Sequence, residues 1–413
     1  MNINVTSPES VGMSRARLDR IRPVMESYVN EQGVAGISTM VSRRGRIVQA
    51  EQYGFRDKEA GAPMTADTIF RIYSMTKPIV STALMMLHEE GRFQLEHPVA
   101  QYLPAFKTTK VLAEDGALVD QLRPMQIRDV LMHTSGLTYD FMSDNPVATM
   151  YRDAKLMHDP GRSLEAVIDE LASIPLAFQP GTRWHYSVGI DVAARLVEVL
   201  SGLPLGEFLR LRLFEPLGMA DTGFGVPEAE LDRLAAMYGL PDLFGQDYSA
   251  VQLVEAALSG FNERIDVSTT YPTDAPEVFV RGGIGLFSTI GDYMKFAQML
   301  ADNGAAAGGH LLSRKTLELM HSNHLDAALM PYELLGRPVP GMGFGLGSRV
   351  MLDVAKTTGT GSVGEYGWAG AAKTYYWVDP AEELVGVFMS QYMTGVLLPD
   401  RDFRSLVYQA IID

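Results

Sequence analysis

Thr68-Ile69-Phe70-Arg71-Ile72-Tyr73-Ser74-Met75-Thr76-Lys77-Pro78-Ile79 is the stretch on which the reading of this chain turns. A strand-like run, Thr68 to Ile72, gives way to a helix-like run from Ile79 to Glu90. Ser74 and Lys77 fall at the junction, three residues apart. On a helix, positions i and i+3 share a face, so the amine can reach the hydroxyl oxygen. Pro78 fits the first turn, where its missing N–H has no partner to lose. A lysine held and desolvated at a rigid helix start can lose its proton and act as a base. The four residues alone are weak, because about one S-x-x-K occurs by chance in a chain this long. They also read as an N-cap serine followed by an exposed lysine.

Working outward, Ser14 reads as the N-cap of a helix through Leu18, Ile21, Val24 and Met25 towards Gly33. Gly36 to Val41 and a run beginning at Ile47-Val48 read as a hairpin turned by Arg44-Gly45-Arg46. From Ile79 to about Ser259 helical spacing dominates. Examples are Ala83, Leu84 and Leu87, then Leu164, Val167, Ile168 and Leu171, then Val192, Leu196, Val197 and Leu200. The stretch from Leu231 to Pro276 has weak periodicity. Strand signals return at Lys373–Val378 and Leu384–Met389, flanking Asp379-Pro380-Ala381, and a closing helix is expected from about Asp402 to Ile412. Strand-rich ends around a helical middle predict an α+β fold. One antiparallel sheet is built from both termini, flanked by helices, with a mostly helical domain inserted. The expected division is 1–78 with 277–413 as a discontinuous α/β domain and 79–276 as the helical domain, with the active site at their interface.

The chain has 413 residues, 46% of them hydrophobic, enough for a normal globular core. A net charge of −15 argues against binding nucleic acid. There are no cysteines, which excludes disulfides and thiol catalysis. Neither a signal-peptide pattern at the N-terminus nor an apolar run near the ~20 residues of a membrane span is present. The expectation is a cytoplasmic protein with no membrane partner; oligomeric state is open.

A serine nucleophile needs a proton acceptor, a relay to the leaving group and donors for the oxyanion. Lys77 can accept. Tyr186, in Trp184-His185-Tyr186-Ser187 after the Pro180-Gly181 turn, can serve as a phenolate beside the Lys77 ammonium or as a neutral proton shuttle; it also reads as a loop aromatic packed on the core. The Ser74 N–H is one natural oxyanion donor. A second is expected from the strand Trp368-Ala369-Gly370-Ala371, whose small residues let substrate approach backbone N–H groups; a strand with a glycine bulge is the plainer reading. His133 or His185 could build a Ser/His/Asp triad, but the chain has no G-x-S-x-G elbow. His321-x-x-His324 has metal spacing without a third ligand in view, and reads as two surface histidines. Gly282-Gly283-Ile284-Gly285 lacks the lysine and helix context of a phosphate loop and reads as a tight turn.

Together these pieces resemble the serine β-lactamase and penicillin-binding-protein superfamily, on the class C-like branch that contains the family VIII carboxylesterases. The resemblance covers nearly the whole chain. It runs through Phe70 to Pro78, Leu131-Met132-His133-Thr134-Ser135-Gly136-Leu137, Trp184 to Ser187, Pro216-Leu217-Gly218-Met219, Gly282 to Thr289 and Trp368-Ala369-Gly370. It implies Ser74 as acyl-enzyme nucleophile, Lys77 as its activating partner, Tyr186 as second base, and backbone oxyanion donors at Ser74 and Ala371. Two departures matter. Penicillin-recognising relatives carry Y-x-N where this chain has Tyr186-Ser187-Val188, and K-T-G where it has Trp368-Ala369-Gly370. Trp368 puts an apolar wall in place of a cation, and the W-x-G form is similar to the carboxylesterase branch. The implied activity is hydrolysis of small, short-acyl carboxylic esters. A β-lactamase or peptidase, or acyl transfer to an alcohol, is the alternative. Trp368, Ala369, Gly370 and Tyr139 are the expected substrate-contacting residues. This chemistry needs no metal and no organic cofactor.

Overall fold

Arg44 and Gly45 close the first hairpin with φ of 51° and 69°. Two consecutive left-handed residues make the turn whose twist matches the flanking strands. The strands are β1 (Gly36–Arg43) and β2 (Arg46–Asp57), followed by the short β3 (Ala62–Pro63). The computed structural model describes residues 4–142, 145–157, 159–239, 263–393 and 397–413. Part of the weakly periodic Leu231–Pro276 stretch, residues 240–262, lies outside them.

Five strands from the C-terminal third complete the sheet: β4 (Met342–Phe344), β5 (Arg349–Met351), β6 (Tyr366–Gly370), β7 (Thr374–Asp379) and β8 (Leu384–Ser390). The order is β4-β5-β6-β7-β8-β1-β2-β3, with every pairing antiparallel. The expected joining of the two ends is the β1–β8 ladder, with Ile37 opposite Ser390 and Arg43 opposite Leu384.

Both faces of the central strands are buried, and the period of two sorts their side chains. Ile37, Val41, Tyr375, Trp377 and Phe388 pack on one face with Ile21, Met25, Phe403 and Val407 of the terminal helices. Met40, Tyr376, Val378, Val385 and Val387 pack on the other with Tyr293 and Phe296. Removing a side chain such as Phe388 from water stabilises the fold by about 1.5–3 kcal/mol. The helices expected at the three apolar repeats are Thr76–Glu89, Leu164–Ser173 and Gly189–Ser201.

Two terminal helices differ from expectation. Ser14 caps only Arg15–Leu18, and a new helix runs Ile21–Asn30. Pro23 lacks the N–H that would bond back across the break, and sits in the first turn of the second helix, where none is needed. The closing helix is Pro399–Tyr408 rather than 402–412. Its last residues instead pair with the N-terminus, Ser14 N–H donating to Ala410 O at 2.8 Å and Ile412 N–H to Gly12 O at 3.0 Å.

Candidate active site

Ser74 lies in a single 3-10 turn, Tyr73–Met75, directly before the Thr76–Glu89 helix. Three elements hold this turn. The Thr374 hydroxyl of β7 donates to Ile72 O at 3.2 Å. Tyr293, on the Ile290–Ala301 helix, donates to Met75 O at 2.9 Å. The Thr76 hydroxyl donates to Ile284 O and accepts Leu286 N–H, both at 3.2 Å. A serine hydroxyl fixed from the sheet, a helix and a glycine-rich loop is preorganised rather than adaptable.

Lys77 Nζ donates to Ser74 Oγ at 3.0 Å and to Gly283 O at 2.7 Å. Tyr186, reached across 112 residues of chain, donates its phenol proton to the same Ser74 oxygen at 2.7 Å. Trp368 Nε1–H in turn reaches the Tyr186 oxygen at 3.4 Å. Lys77 is almost fully buried, its ammonium 4.8 Å from the Tyr186 ring centroid and 5.2 Å from that of Tyr139.

Behind Lys77 sits Asp191, a fully buried residue in the first turn of the Gly189–Ser201 helix. Its Oδ1 accepts Gly283 N–H at 3.1 Å. Burial pushes this carboxyl above its ordinary value, against the downward pull of Lys77. A Cβ at Gly283 would stand 2.6 Å from Asp191 Oδ2 and 2.8 Å from the Tyr139 hydroxyl, so any larger residue displaces these two groups. The glycine run is therefore a tight turn, and its carbonyl also anchors the lysine. Sequence reasoning missed Asp191 and the Gly283 carbonyl. The periodic apolar run around Asp191 was the available signal, since an acid on a buried helix face calls for a nearby partner.

Tyr139 is buried beneath the pair, its ring 5.2 Å from Tyr186 and stacked on Phe141 at 4.7 Å. Burial raises its phenol well above the ordinary range, reinforced by Tyr186. Trp368 is buried on β6, Ala369 exposed and Gly370 half-buried. A Cβ at Gly370 would overlap the Ile72 carbonyl oxygen, so glycine lets β6 press against the Ser74 turn. Ala371 follows in the turn out of β6.

The triad alternative finds its histidines engaged elsewhere, His133 Nδ1 with Ser187 Oγ at 3.1 Å and His185 Nε2 with Thr138 Oγ1 at 2.8 Å. The two histidines read as surface residues are half-buried instead. His321 stacks flat on Tyr366 at 3.5 Å and bonds Ser348 Oγ at 2.9 Å, while His324 Nε2 donates to Leu319 O at 2.7 Å. The stack on Tyr366 draws in His321 and the bond to Leu319 O draws in His324, contacts that the H-x-x-H spacing does not report. Among the described residues no helix is long and apolar enough to cross a membrane.

Residues 20–409 match the family model described as Beta-lactamase. Esterase EstB of Burkholderia gladioli is 32% identical over 377 residues, covering 89% of this chain and 87% of its own. Protein Rv1367c of Mycobacterium tuberculosis is 35% identical over 367 residues, covering 87% and 86%. A solved structure of EstCE1, described as a hydrolase with promiscuous acyltransferase activity, superposes with a TM-score of 0.76 at 25% identity, covering 95% of this chain and 99% of that one. Matched from residue 20 to residue 409, this chain belongs to the Beta-lactamase family.

Proposed function

We propose that this protein is a serine carboxylesterase of the family VIII type, acting on small carboxylic esters through an acyl-enzyme on Ser74. One observation carries the reading: Lys77 and Tyr186 both hydrogen-bond the Ser74 hydroxyl oxygen, at 3.0 and 2.7 Å. Whichever of the two begins deprotonated takes the serine proton as Oγ attacks the ester carbonyl. The proton then passes to the departing alcohol. Water, deprotonated by the same pair, attacks the acyl-enzyme, and the returning proton restores Ser74. Backbone N–H groups of Ser74 and Ala371 receive the oxyanion. Trp368 and its neighbours Ala369 and Gly370 form the wall against the ester, with Tyr139 beneath. The similarity to Esterase EstB supports this reading.

The site draws Tyr186 from the central part of the chain and Trp368 from the C-terminal part. This supports an active site between the 79–276 portion and the portion built from 1–78 with 277–413. The helix Thr76–Glu89 runs through the junction at 78, so the two portions share a rigid element rather than a hinge.

The test is hydrolysis of a short-chain p-nitrophenyl ester and of a chromogenic cephalosporin by the wild type and Ser74→Ala. The reading expects ester cleavage that Ser74→Ala lowers by on the order of 10⁴-fold or more while the protein stays folded. Full activity in that variant overturns it. Dominant lactam opening moves the protein to the β-lactamase class. The likeness to EstCE1 favours acyl transfer as a second reading. Partitioning of product between water and an added alcohol separates the two.

A further inference from the structure

His133 lies in a motif that the reaction scheme leaves unused, and the chain around it is arranged with care. The residue ends the Ile127–Met132 helix at φ 58°, a left-handed conformation in which non-glycine residues are uncommon. That conformation points its backbone and its ring at the same segment. Its carbonyl oxygen accepts His185 N–H at 2.8 Å. Its ring Nδ1 accepts Ser187 N–H at 3.3 Å. Tyr186 is the residue between these two amides.

The hydrogen bonds also assign the tautomer. A backbone N–H can only donate, so Nδ1 is an acceptor and the ring proton is on Nε2. Ser187 Oγ receives Gly189 N–H at 3.3 Å, which leaves the serine proton free for Nδ1 at 3.1 Å. The neutral imidazole lies among aromatic rings. The rings of Trp184, Tyr186 and Phe344 stand edge-on to His133, with centroids at 5.8, 4.9 and 5.4 Å. Among the described residues Nε2 has no hydrogen-bond partner. Burial, with Lys77 and His185 nearby, holds the ring well below its ordinary pKa and keeps Nδ1 an acceptor. The two helices meet closely behind it, for a Cβ at Gly189 would overlap the Val130 carbonyl oxygen.

We propose that His133 is a positioning residue for Tyr186: by accepting the amides on both sides of that tyrosine, it holds the phenol 2.7 Å from Ser74 Oγ. The role rests on the reading of Tyr186 as a proton-transfer group. A phenol at the end of a long side chain magnifies any rotation of its backbone, and a misplacement of ~1 Å costs about 100-fold in rate.

The experiment compares His133→Asn, His133→Gln and His133→Leu by steady-state ester hydrolysis and thermal melting, alongside Ser74→Ala and Tyr186→Phe. Asparagine places its amide oxygen near the position of Nδ1 and tolerates positive φ. Glutamine keeps more volume but carries its acceptor to the position of Nε2. The expected result is a kcat for His133→Asn within about 10-fold of wild type. For His133→Leu and His133→Gln, kcat falls by about 100-fold with KM little changed. A role in packing alone predicts the opposite order, so His133→Gln equal to or better than His133→Asn in kcat overturns the proposal. So does a wild-type kcat in His133→Leu. If His133→Leu does not fold, the Asn–Gln comparison decides alone. Full activity in Tyr186→Phe or Ser74→Ala overturns the reading of the site itself, which a failure confined to the His133 variants leaves standing.

Discussion

The Lys77 ammonium lies 4.8 Å from the centroid of the Tyr186 ring while both groups hydrogen-bond one oxygen of Ser74. The three side chains therefore form one hydrogen-bonded unit around the Ser74 oxygen, along which a proton can pass.

Removing the phenol oxygen should break that unit without disturbing substrate binding. Tyr186→Phe is expected to lower kcat by roughly 10²–10⁴-fold, with KM changed by a much smaller factor. Steady-state kinetics on a p-nitrophenyl ester measures both. A kcat within twofold of wild type would remove Tyr186 from the mechanism.

By the resemblance in motif order, Trp368 replaces the cation of the K-T-G motif in penicillin-recognising relatives. Trp368→Lys gives a substrate carboxylate an attractive charge and takes apolar contact from a neutral ester. Burial of that contact is worth roughly 25 cal/mol per Å². The ratio of cephalosporin to ester turnover should rise. An unchanged ratio refutes charge at this position as the determinant of preference.

At Gly370 β6 packs against the Ser74 turn, and a Cβ there would overlap both Ile72 O and Thr374 Oγ1. Gly370→Ala should push the strand away from Ser74 and lower kcat by about 10-fold or more. Gly359, where a Cβ meets nothing within 4 Å, serves as the control. Gly359→Ala should stay within about 0.5 kcal/mol of wild-type stability. Equal kcat in the two variants would show that the approach of β6 does not matter to catalysis.

His321 supplies a pH signature of the fold. Burial pushes its imidazole from 6.5 down to about 3. The unfolded chain therefore binds this proton at a higher pH than the folded chain does. The contribution to stability is present above pH ~6.5 and is lost as pH falls towards ~3. His321→Phe keeps the stack on Tyr366 but does not titrate. Denaturant titrations between pH 7 and 4 should show a shallower loss of stability in that variant. Parallel curves would mean that His321 is not the group responsible.

Features that repeat over short distances were legible in the order of residues alone. Ser74 and Lys77 meet because three residues make about one helical turn, and β7 and β8 pair because two continuous β-branched and aromatic runs flank Asp379-Pro380-Ala381. The sheet joining both chain ends was likewise legible, since strand-type runs lay only there. Proline punctuation was the local exception: Pro23 opens a second helix where the apolar pattern ran straight through, and Pro399 starts the closing helix ahead of the expected Asp402. The resemblance in motif order singled out Tyr186 and Trp368, but their distances to Ser74 and to each other came from packing. Asp191, the Gly283 carbonyl and the bracket of His133 around Tyr186 were decided only by tertiary structure. Each is a contact between elements far apart in the chain, made by a backbone group or a buried polar atom. Period and composition report which face of an element is buried. They do not report which carbonyl of a distant loop will lie against it, because that depends on how the helices and the sheet come together.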